Sequence, residues 1–290
     1  MEFPKTLIKR NGYIERIKPF MRKNIAKVLT GQRRVGKSFL LYQLMDQLLV
    51  EEPDANIIYI NFEDFAFSHI QTAEDMHAYI MSKFRKEKYN YIFVDEIQEI
   101  VNFERVIRSL LLNENNDIYI TGSNAKMLSG ELATYLSGRY IEFSVYSLSY
   151  LEFLAFHKLE NNNESLYLYS RYGGLPYLIN LPLKDETVNE YLKSVYSTIV
   201  FRDVVSRYNL RNSSFLEKLV QFLSENIGNL FSAKNISDYL KSQHSTISVN
   251  QIQNYTEYLN NAFLIHRVGR YDLIGKRLSL IHISEPTRPY

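Results

Sequence analysis

The chain has 290 residues, of which 46% are hydrophobic and 23% are charged, as in a globular protein with one large or several small domains. It contains no cysteine, which excludes disulfide frameworks, thiolate nucleophiles and cysteine-ligated zinc. A net charge of +2 is too small to indicate a nucleic-acid partner, and we interpret the basic run near the N-terminus as a solvated face. The sequence has no signal peptide and no apolar run that could span a membrane, so we expect a cytoplasmic protein without a membrane partner.

The first 147 residues alternate short apolar runs with helical patterns, which is typical of a parallel sheet covered by crossover helices. The runs are nearly continuous in apolar residues, as strands buried on both faces should be. This pattern predicts an α/β domain over residues 1–147. The predicted strands are 25–30, 57–62, 91–95, 117–121 and 140–145.

The strand pattern fades after residue 147, and helical stripes replace it. A Gly-Gly-Leu-Pro turn at 173–176 interrupts this part, since glycine permits unusual dihedrals and proline halts the preceding helix. We expect a helical region over 148–212 and a winged-helix-like domain over 213–277. The second of these rests on predicted helices near 215–226, 233–242 and 249–261, followed by extended segments at 263–268 and 270–273.

Residues 278–290 are predicted to be a non-native tail. Residues 278–288 read LSLIHISEPTR, which matches the translation of a transposase adapter used in sequencing libraries. A wing strand followed by a proline-broken coil is the alternative, but the identity of the string favours the adapter. We therefore exclude the tail from the fold and expect the native protein to continue past residue 277.

Residues 31–38 form a complete Gly-x-x-x-x-Gly-Lys-Ser loop between a predicted strand and a predicted helix. Its glycines let the backbone N–H groups face a phosphate, Lys37 reaches the β- and γ-phosphates, and Ser38 ligates magnesium. A chance glycine-rich turn is the alternative, but both flanking elements favour the functional interpretation. The loop predicts ATP and Mg²⁺ as ligands. The expected nucleotide-binding residues are Gly31, Gln32, Arg33, Arg34, Val35, Gly36, Lys37, Ser38 and Phe39.

Two adjacent carboxylates, Asp95 and Glu96, follow the third predicted strand. We expect Asp95 to hold magnesium through water and Glu96 to accept a proton from the attacking water. An isolated Asp-Glu pair at a strand end is usually a solvated turn. Its combination with the loop at 31–38 favours the catalytic interpretation.

Three other residues are candidates for the chemistry. Ser123 or Asn124, at the end of the fourth predicted strand, is positioned to bond the γ-phosphate or the water, with a plain turn as the alternative. Arg139, before the last strand, is either an arginine finger or an ordinary surface residue, and the sequence leaves open whether it acts within one chain or in a neighbouring one.

Six motifs occur along the chain: LTGQRRVGKS at 29–38, DEIQ at 95–98, TGSN at 121–124, LSGRY at 136–140, YSLSYLEF at 146–153 and YGGLP at 172–176. Together they resemble a large group of bacterial and archaeal AAA+ ATP-binding proteins. This resemblance extends to Tyr271 and implies a P-loop sheet of the additional-strand type, with the strand ending at Thr121 between those ending at Thr30 and Asp95. In related STAND ATPases a Gly-x-Pro turn contacts the adenine side of the nucleotide, and Pro176 matches it, with a plain helix-to-helix turn as the alternative. Members usually carry a further nuclease-like C-terminal domain.

Three functions fit these features. The first is an ATPase that acts on DNA or protein through the winged-helix region, with a homo-oligomer as a further expectation, although the predicted helix at 248–261 has no Lys or Arg. The second is a slow nucleotide-dependent switch or scaffold that does not bind nucleic acid. The third, a small-molecule kinase, is disfavoured by Glu96, because a transferred phosphoryl group must avoid activated water.

Overall fold

The computed structural model describes residues 7–125, 135–136, 138–210, 213–230, 232–242 and 248–268. The chain divides into two compact units, Met1–Val188 and Asn189–Tyr290, which are treated separately. The predicted tail at 278–290 and the predicted segment at 270–273 lie outside the described residues. The domain bounds at 147 and 212 do not coincide with this division and stay predictions.

The first unit contains a five-stranded parallel sheet in the order β2-β3-β4-β1-β5. Central β4 pairs with β3 on one side and with β1 on the other, so the strand ending in TGSN lies where the resemblance placed it. This confirms the predicted α/β fold and its parallel sheet. The strands are β1 (Ala26–Thr30), β2 (Asn56–Asn61), β3 (Asn90–Asp95), β4 (Asn116–Gly122) and β5 (Tyr140–Ser144).

Helices flank this sheet, and apolar clusters cover both of its faces. One cluster joins Ile92 and Ile120 to Ile107, and the other joins Leu29 and Phe93 to Leu44. The central strands β3 and β4 are buried throughout, which explains why they read as nearly continuous apolar runs. The helices are α1 (Asn11–Ile17), α2 (Lys37–Glu51), α3 (Ala73–Ser82), α4 (Phe103–Leu110), α5 (Tyr150–His157) and α6 (Asn163–Tyr172).

The second unit is helical in the residues that the structure describes. It includes most of α7 (Asp185–Thr198), a π-helical turn at Ile199–Ser206, α8 (Ser213–Glu225), α9 (Ala233–Ser242) and α10 (Val249–Asn261). The last three helices lie where the apolar stripes predicted them. Nowhere in the described ranges is a helix both long and apolar enough to cross a membrane.

The expected extended segment at 263–268 is wrong at its start. Phe263 adopts a positive φ of 54°, and its N–H donates to the carbonyl oxygen of Asn260 at 3.0 Å. The N–H of Leu264 donates to Leu259 at 3.0 Å, so the chain turns back on the end of α10 instead of entering a strand. The winged-helix assignment therefore stays a prediction.

Candidate functional site

The loop at 31–36 joins β1 to the start of α2. A β-carbon on Gly31 would lie 2.2 Å from the carbonyl oxygen of Val145, so only glycine fits there. Gly36 adopts a left-handed conformation, φ 94° and ψ 26°, directly before α2. The two glycines wrap the backbone around the end of α2 whose first N–H groups have no partners within the helix, which is the arrangement that binds phosphate.

Lys37 lies buried inside this loop. Its Nζ donates to the carbonyl oxygens of Gly31 at 2.9 Å and Gln32 at 3.0 Å, and it lies 3.6 Å from Oε1 of Glu96. Burial lowers the pKa of Lys37, and the carboxylates of Glu96 and Asp95 oppose that shift. The ammonium group is thus held between the loop carbonyls and the carboxylates that follow β3.

Asp95 ends β3 beside the loop. Burial raises the pKa of Asp95 above its usual value, and hydrogen bonds from the side chains of Thr121 and Ser38 oppose this shift without cancelling it. Carboxylate and hydroxyl oxygens are ligands that suit Mg²⁺, which takes few protein ligands and completes its shell with phosphate oxygens and water. The described residues contain no group of three or more His, Cys, Asp or Glu side chains suited to a metal. Ser38 and Asp95 lie within hydrogen-bond distance of each other and offer the two kinds of oxygen that suit a magnesium ion shared with a nucleotide.

Glu96 directs its carboxylate back toward Lys37. Its φ of 53° is left-handed, a conformation that costs a residue with a side chain about 1–2 kcal/mol. Its N–H donates to Oγ1 of Thr121 at 2.9 Å, which fixes the turn. Burial opposes ionisation, but Lys37, Gln98, Arg33 and Ser123 together hold the pKa of Glu96 below its usual value. These neighbours favour the ionised form of the carboxylate, which is the form that can accept a proton.

The polar residues at the end of β4 complete the site. Ser123 is buried, and its Oγ donates to Oε2 of Glu96 at 2.9 Å. Asn124 is also buried at the same end of β4, and the choice between the two candidates stays a prediction. Sequence reasoning missed Thr121, whose hydroxyl donates to Asp95 and accepts from the N–H of Glu96. A polar residue ending the neighbouring strand was the signal available for it.

Family comparisons place this site in a known domain. Residues 23–154 match a family model described as an AAA domain, and residues 163–279 match one described as Domain of unknown function (DUF8612). An uncharacterized protein of Haemophilus influenzae is 36% identical over 279 residues, which is 94% of this chain and 69% of that protein. The chain belongs to this family of AAA-domain proteins.

More distant proteins are similar over part of their length. An uncharacterized protein of Methanocaldococcus jannaschii is 31% identical over 271 residues, 88% of this chain and 59% of that protein. The structure of Aeropyrum pernix ORC1 in complex with DNA has a TM-score of 0.42 at 11% identity, covering 92% of this chain and 87% of that one. Domain III of Thermotoga maritima DnaA has a TM-score of 0.42 at 14% identity, covering 60% and 82%. At such scores the fold assignment rests on the sheet order and the AAA domain match.

Of the other predicted nucleotide-binding residues, Arg33 and Val35 are buried, and Arg34 and Phe39 are exposed. Arg33 is buried, and its Nη1 donates to Oε1 of Glu63 at 2.9 Å. Arg34 is exposed and has a φ of 67°. Val35 is buried in the apolar cluster beside α2, so its backbone alone is available to a nucleotide, whereas Phe39 is 47% exposed.

The structure does not bring Arg139 to this site within one chain. Tyr140, the next residue, pairs with Ala26 at the start of β1, whereas Ser144 pairs with Thr30 beside the loop. Four residues of strand separate these ends by about 13 Å at ~3.3 Å per residue. Arg139 is exposed at the amino ends of the strands, whereas the phosphate loop lies at their carboxyl ends. A role for Arg139 in the site of a neighbouring copy stays a prediction.

The glycine-proline turn packs against the loop of the AAA domain. A β-carbon on Gly36 would lie 3.8 Å from Cγ of Pro176. A β-carbon on Gly174 would lie 2.2 Å from the carbonyl oxygen of Leu148, whose N–H donates to Gly174 at 2.7 Å. Close backbone contact therefore explains the glycine, and the turn lies beside the phosphate loop.

Two cations of the N-terminal basic run are buried, so its interpretation as a solvated face is wrong for them. Lys27 on β1 is fully buried beside Asp117, and burial lowers its pKa against the opposing effect of that carboxylate. Arg10 is 4% exposed, and its Nη1 donates to the carbonyl oxygens of Val35 at 3.1 Å and Tyr146 at 3.0 Å. These partners are distant in sequence, so no local pattern could have indicated them.

Proposed function

We propose that this protein binds ATP with Mg²⁺ and hydrolyses it as an AAA+-type ATPase that acts on or signals to a macromolecular partner. One observation carries the proposal. Lys37, Ser38 and the carboxylates of Asp95 and Glu96 come together at the carboxyl edge of the sheet, each in a different environment. A cation in a phosphate loop, a ligand pair for magnesium and an ionised base are the parts that ATP hydrolysis requires.

ATP binding would replace hydrogen bonds that Lys37 makes within the loop. A triphosphate in the loop offers Lys37 better acceptors than the carbonyl oxygens of Gly31 and Gln32, because charge-assisted bonds to phosphate are the stronger kind. The N–H groups at the start of α2 favour the same anion. Ser38 and Asp95 would hold magnesium, which neutralises charge on the phosphates.

Hydrolysis would use Glu96 as the general base. Its ionised carboxylate lies 3.6 Å from Lys37, close to where the γ-phosphate would sit. Ser123 bonds the same carboxylate and so limits its orientation. A positioned base of this kind contributes about 10² to 10⁴ in rate, which separates an enzyme from a protein that merely binds ATP.

A slow nucleotide-dependent switch is the second candidate. Pro176 lies beside Gly36, and Gly174 is bonded to Leu148 at the segment that follows β5. A nucleotide bound in the phosphate loop would therefore lie beside the turn at Pro176 and could shift the segment that leads to α5 and α6. The relation to STAND ATPases, with Pro176 on the adenine side of the nucleotide, belongs to this proposal.

For the partner, we favour a protein over DNA. Helix α10 contains no Lys or Arg, so it lacks the cations that dominate affinity for nucleic acid. Arg267 is partly buried, which leaves less of that cation available to a nucleic-acid backbone. An oligomer of this chain is a third possibility, in which Arg139 would serve a neighbouring copy.

Phosphate release by the intact chain tests these candidates. ATP turnover would be measured with Mg²⁺ and with EDTA, with and without duplex DNA, over a range of protein concentrations. Magnesium-dependent turnover that DNA leaves unchanged supports a protein-directed ATPase, and stimulation by DNA would overturn the choice of partner. Tight ATP binding with a slow rate, constant at all concentrations, favours the switch. Failure to bind ATP would refute both.

A further inference from the structure

Gln98 forms a closed polar triangle with two residues of the site. It lies in the short 3-10 helix at Ile97–Glu99 that directly follows Glu96. Its Nε2 donates to Oε2 of Glu96 and, at 3.2 Å, to Oγ of Ser123. Ser123 in turn donates to the same carboxylate oxygen at 2.9 Å. The carboxylate is thus held from two sides.

This triangle fixes which way the Gln98 amide points. Ser123 donates its hydroxyl proton to Glu96, so its Oγ accepts from Gln98, and the NH₂ end of Gln98 faces both residues while the carbonyl oxygen faces away. That oxygen, Oε1, is buried and has no donor among the residues that the structure describes. A buried acceptor without a donor is unfavourable, so a hydrogen-bond donor that reaches this oxygen would be stabilised.

We propose that Gln98 positions Glu96 for catalysis and that its Oε1 accepts a hydrogen bond from the water that Glu96 activates. The inference rests on the proposed ATP hydrolysis and gives each proton of the water a place. One O–H donates to Oε1 of Gln98, and the other proton passes to the Glu96 carboxylate. The water oxygen bonds to the γ-phosphorus while the bond from that phosphorus to the bridging oxygen breaks, which gives ADP and inorganic phosphate.

The alternative is that Gln98 only stabilises the turn after β3. That role predicts a loss of thermal stability on substitution and a fall in activity that follows it. A positioning role predicts instead that turnover falls while ATP affinity and the melting temperature stay near those of the parent. A water misplaced by about 1 Å can lower the rate by about 10²-fold, so the two outcomes are far apart.

Gln98→Met removes both the donor and the acceptor and keeps the length of the side chain. We expect kcat to fall about 10²-fold, with a Kd for ATP within about twofold of the parent. Gln98→Asn keeps the amide on a shorter stem and should recover part of the loss. Val101→Ala, at a side chain that is 77% exposed on the following turn, is the matched control.

A second measurement requires no turnover. Both side-chain amide protons of Gln98 are hydrogen-bonded, so they should exchange slowly with solvent. Their exchange can be followed through the side-chain amide signal in ¹⁵N-labelled protein. Its absence in Gln98→Met assigns it, and Ser123→Ala should make it exchange faster.

Parental kcat in Gln98→Met, or a loss matched by the loss of stability, would overturn the positioning role. If the parent chain binds ATP without hydrolysing it, the proposed function fails and the water-binding step fails with it. Amide exchange still decides whether Gln98 holds Glu96. Fast exchange of the Gln98 side-chain amide in the parent would refute its hydrogen bond to Glu96, even if the chain is an ATPase.

Discussion

Arg10 and Glu152 lie 142 residues apart in the sequence and form a two-point ion pair, with Nε 2.7 Å from Oε1 and Nη2 3.0 Å from Oε2. Glu152 belongs to the capping box at the start of α5, where it also accepts from the N–H of Ser149. The other guanidinium N–H groups donate to backbone oxygens of the phosphate loop and of the segment after β5. One side chain therefore joins the loop to the first helix beyond the sheet.

Arg10→Ala should lower the stability of the first unit. The substitution leaves the partly buried Glu152 carboxylate without its cation and removes one donor from each of three backbone carbonyls. Breaking a buried ion pair from one side costs about 3 kcal/mol or more. Thermal unfolding of the intact chain measures the loss, with Lys23→Ala at an exposed position as the control. Equal melting temperatures for parent, Arg10→Ala and Lys23→Ala would contradict the role of this pair.

The stability that Arg10 provides should depend on pH. Although burial opposes the shift, hydrogen bonds from Arg10 and the Ser149 backbone hold the pKa of Glu152 below its usual value. A carboxyl with a depressed folded-state pKa stabilises the fold above its unfolded pKa of about 4.3 and loses that contribution as pH falls through the folded value. We expect the difference in melting temperature between parent and Arg10→Ala to be largest at neutral pH and to shrink below about pH 4. A constant difference across that range would exclude the ion pair as its cause.

Local patterns in the sequence predicted the sheet well. The strands are short and mostly apolar, with Lys27 in β1 and Glu142 in β5 among the charged exceptions, and the predicted bounds differ from the observed ones by about one residue. The phosphate loop and Asp95 were predictable for the same reason, because their spacing is set by one turn of chain. The carboxyl ends of neighbouring parallel strands then bring Ser123 to Glu96.

Residues that depend on distant partners were not predictable. Arg10 reads as one of several basic residues, and only the folded chain brings Glu152 to it. Gln98 was part of a recognised motif, but its bond to Ser123 and its unpaired oxygen follow from the left-handed turn at Glu96. The predicted extended segment is wrong at Phe263, where hydrogen bonds to the last turn of α10 outweigh the preference of apolar residues for strands.

Lys37→Ala should abolish or greatly weaken ATP binding. The variant lacks the ammonium that now bonds Gly31 and Gln32 and that would serve the β- and γ-phosphates. Isothermal calorimetry with ATP and Mg²⁺ measures the affinity, and Lys23→Ala again serves as the control. An unchanged Kd in Lys37→Ala would refute the assignment of the loop as a nucleotide site.

Glu96→Gln and Asp95→Asn should separate binding from hydrolysis. Glu96→Gln keeps the size of the side chain but cannot accept the proton, so ATP should still bind while single-turnover hydrolysis falls by about 10² to 10⁴. Asp95→Asn weakens the magnesium site and should impair both affinity and turnover. Glu99→Gln, at an exposed carboxylate of the same turn, is the control. Hydrolysis at the parental rate in Glu96→Gln would exclude Glu96 as the base.

Arg139→Ala tests whether neighbouring copies complete the site. Within one chain Arg139 lies at the opposite edge of the sheet, so its loss should leave the Kd for ATP unchanged. If Arg139 stabilises the phosphate in a neighbouring copy, the rate per molecule should rise with protein concentration in the parent and stay low in the variant. At high concentration the parent should then be faster than the variant by about 10³ or more, which is the effect of an arginine finger.

A mixture of Arg139→Ala and Glu96→Gln decides this point most directly. Each variant alone lacks one essential group, but a site with Glu96 from the first chain and Arg139 from the second contains both. Mixing should therefore restore part of the turnover only if the two groups come from different copies. Rates that are the plain average of the two variants, together with a parental rate that does not depend on concentration, would mean that Arg139 is a surface residue and that each chain works alone.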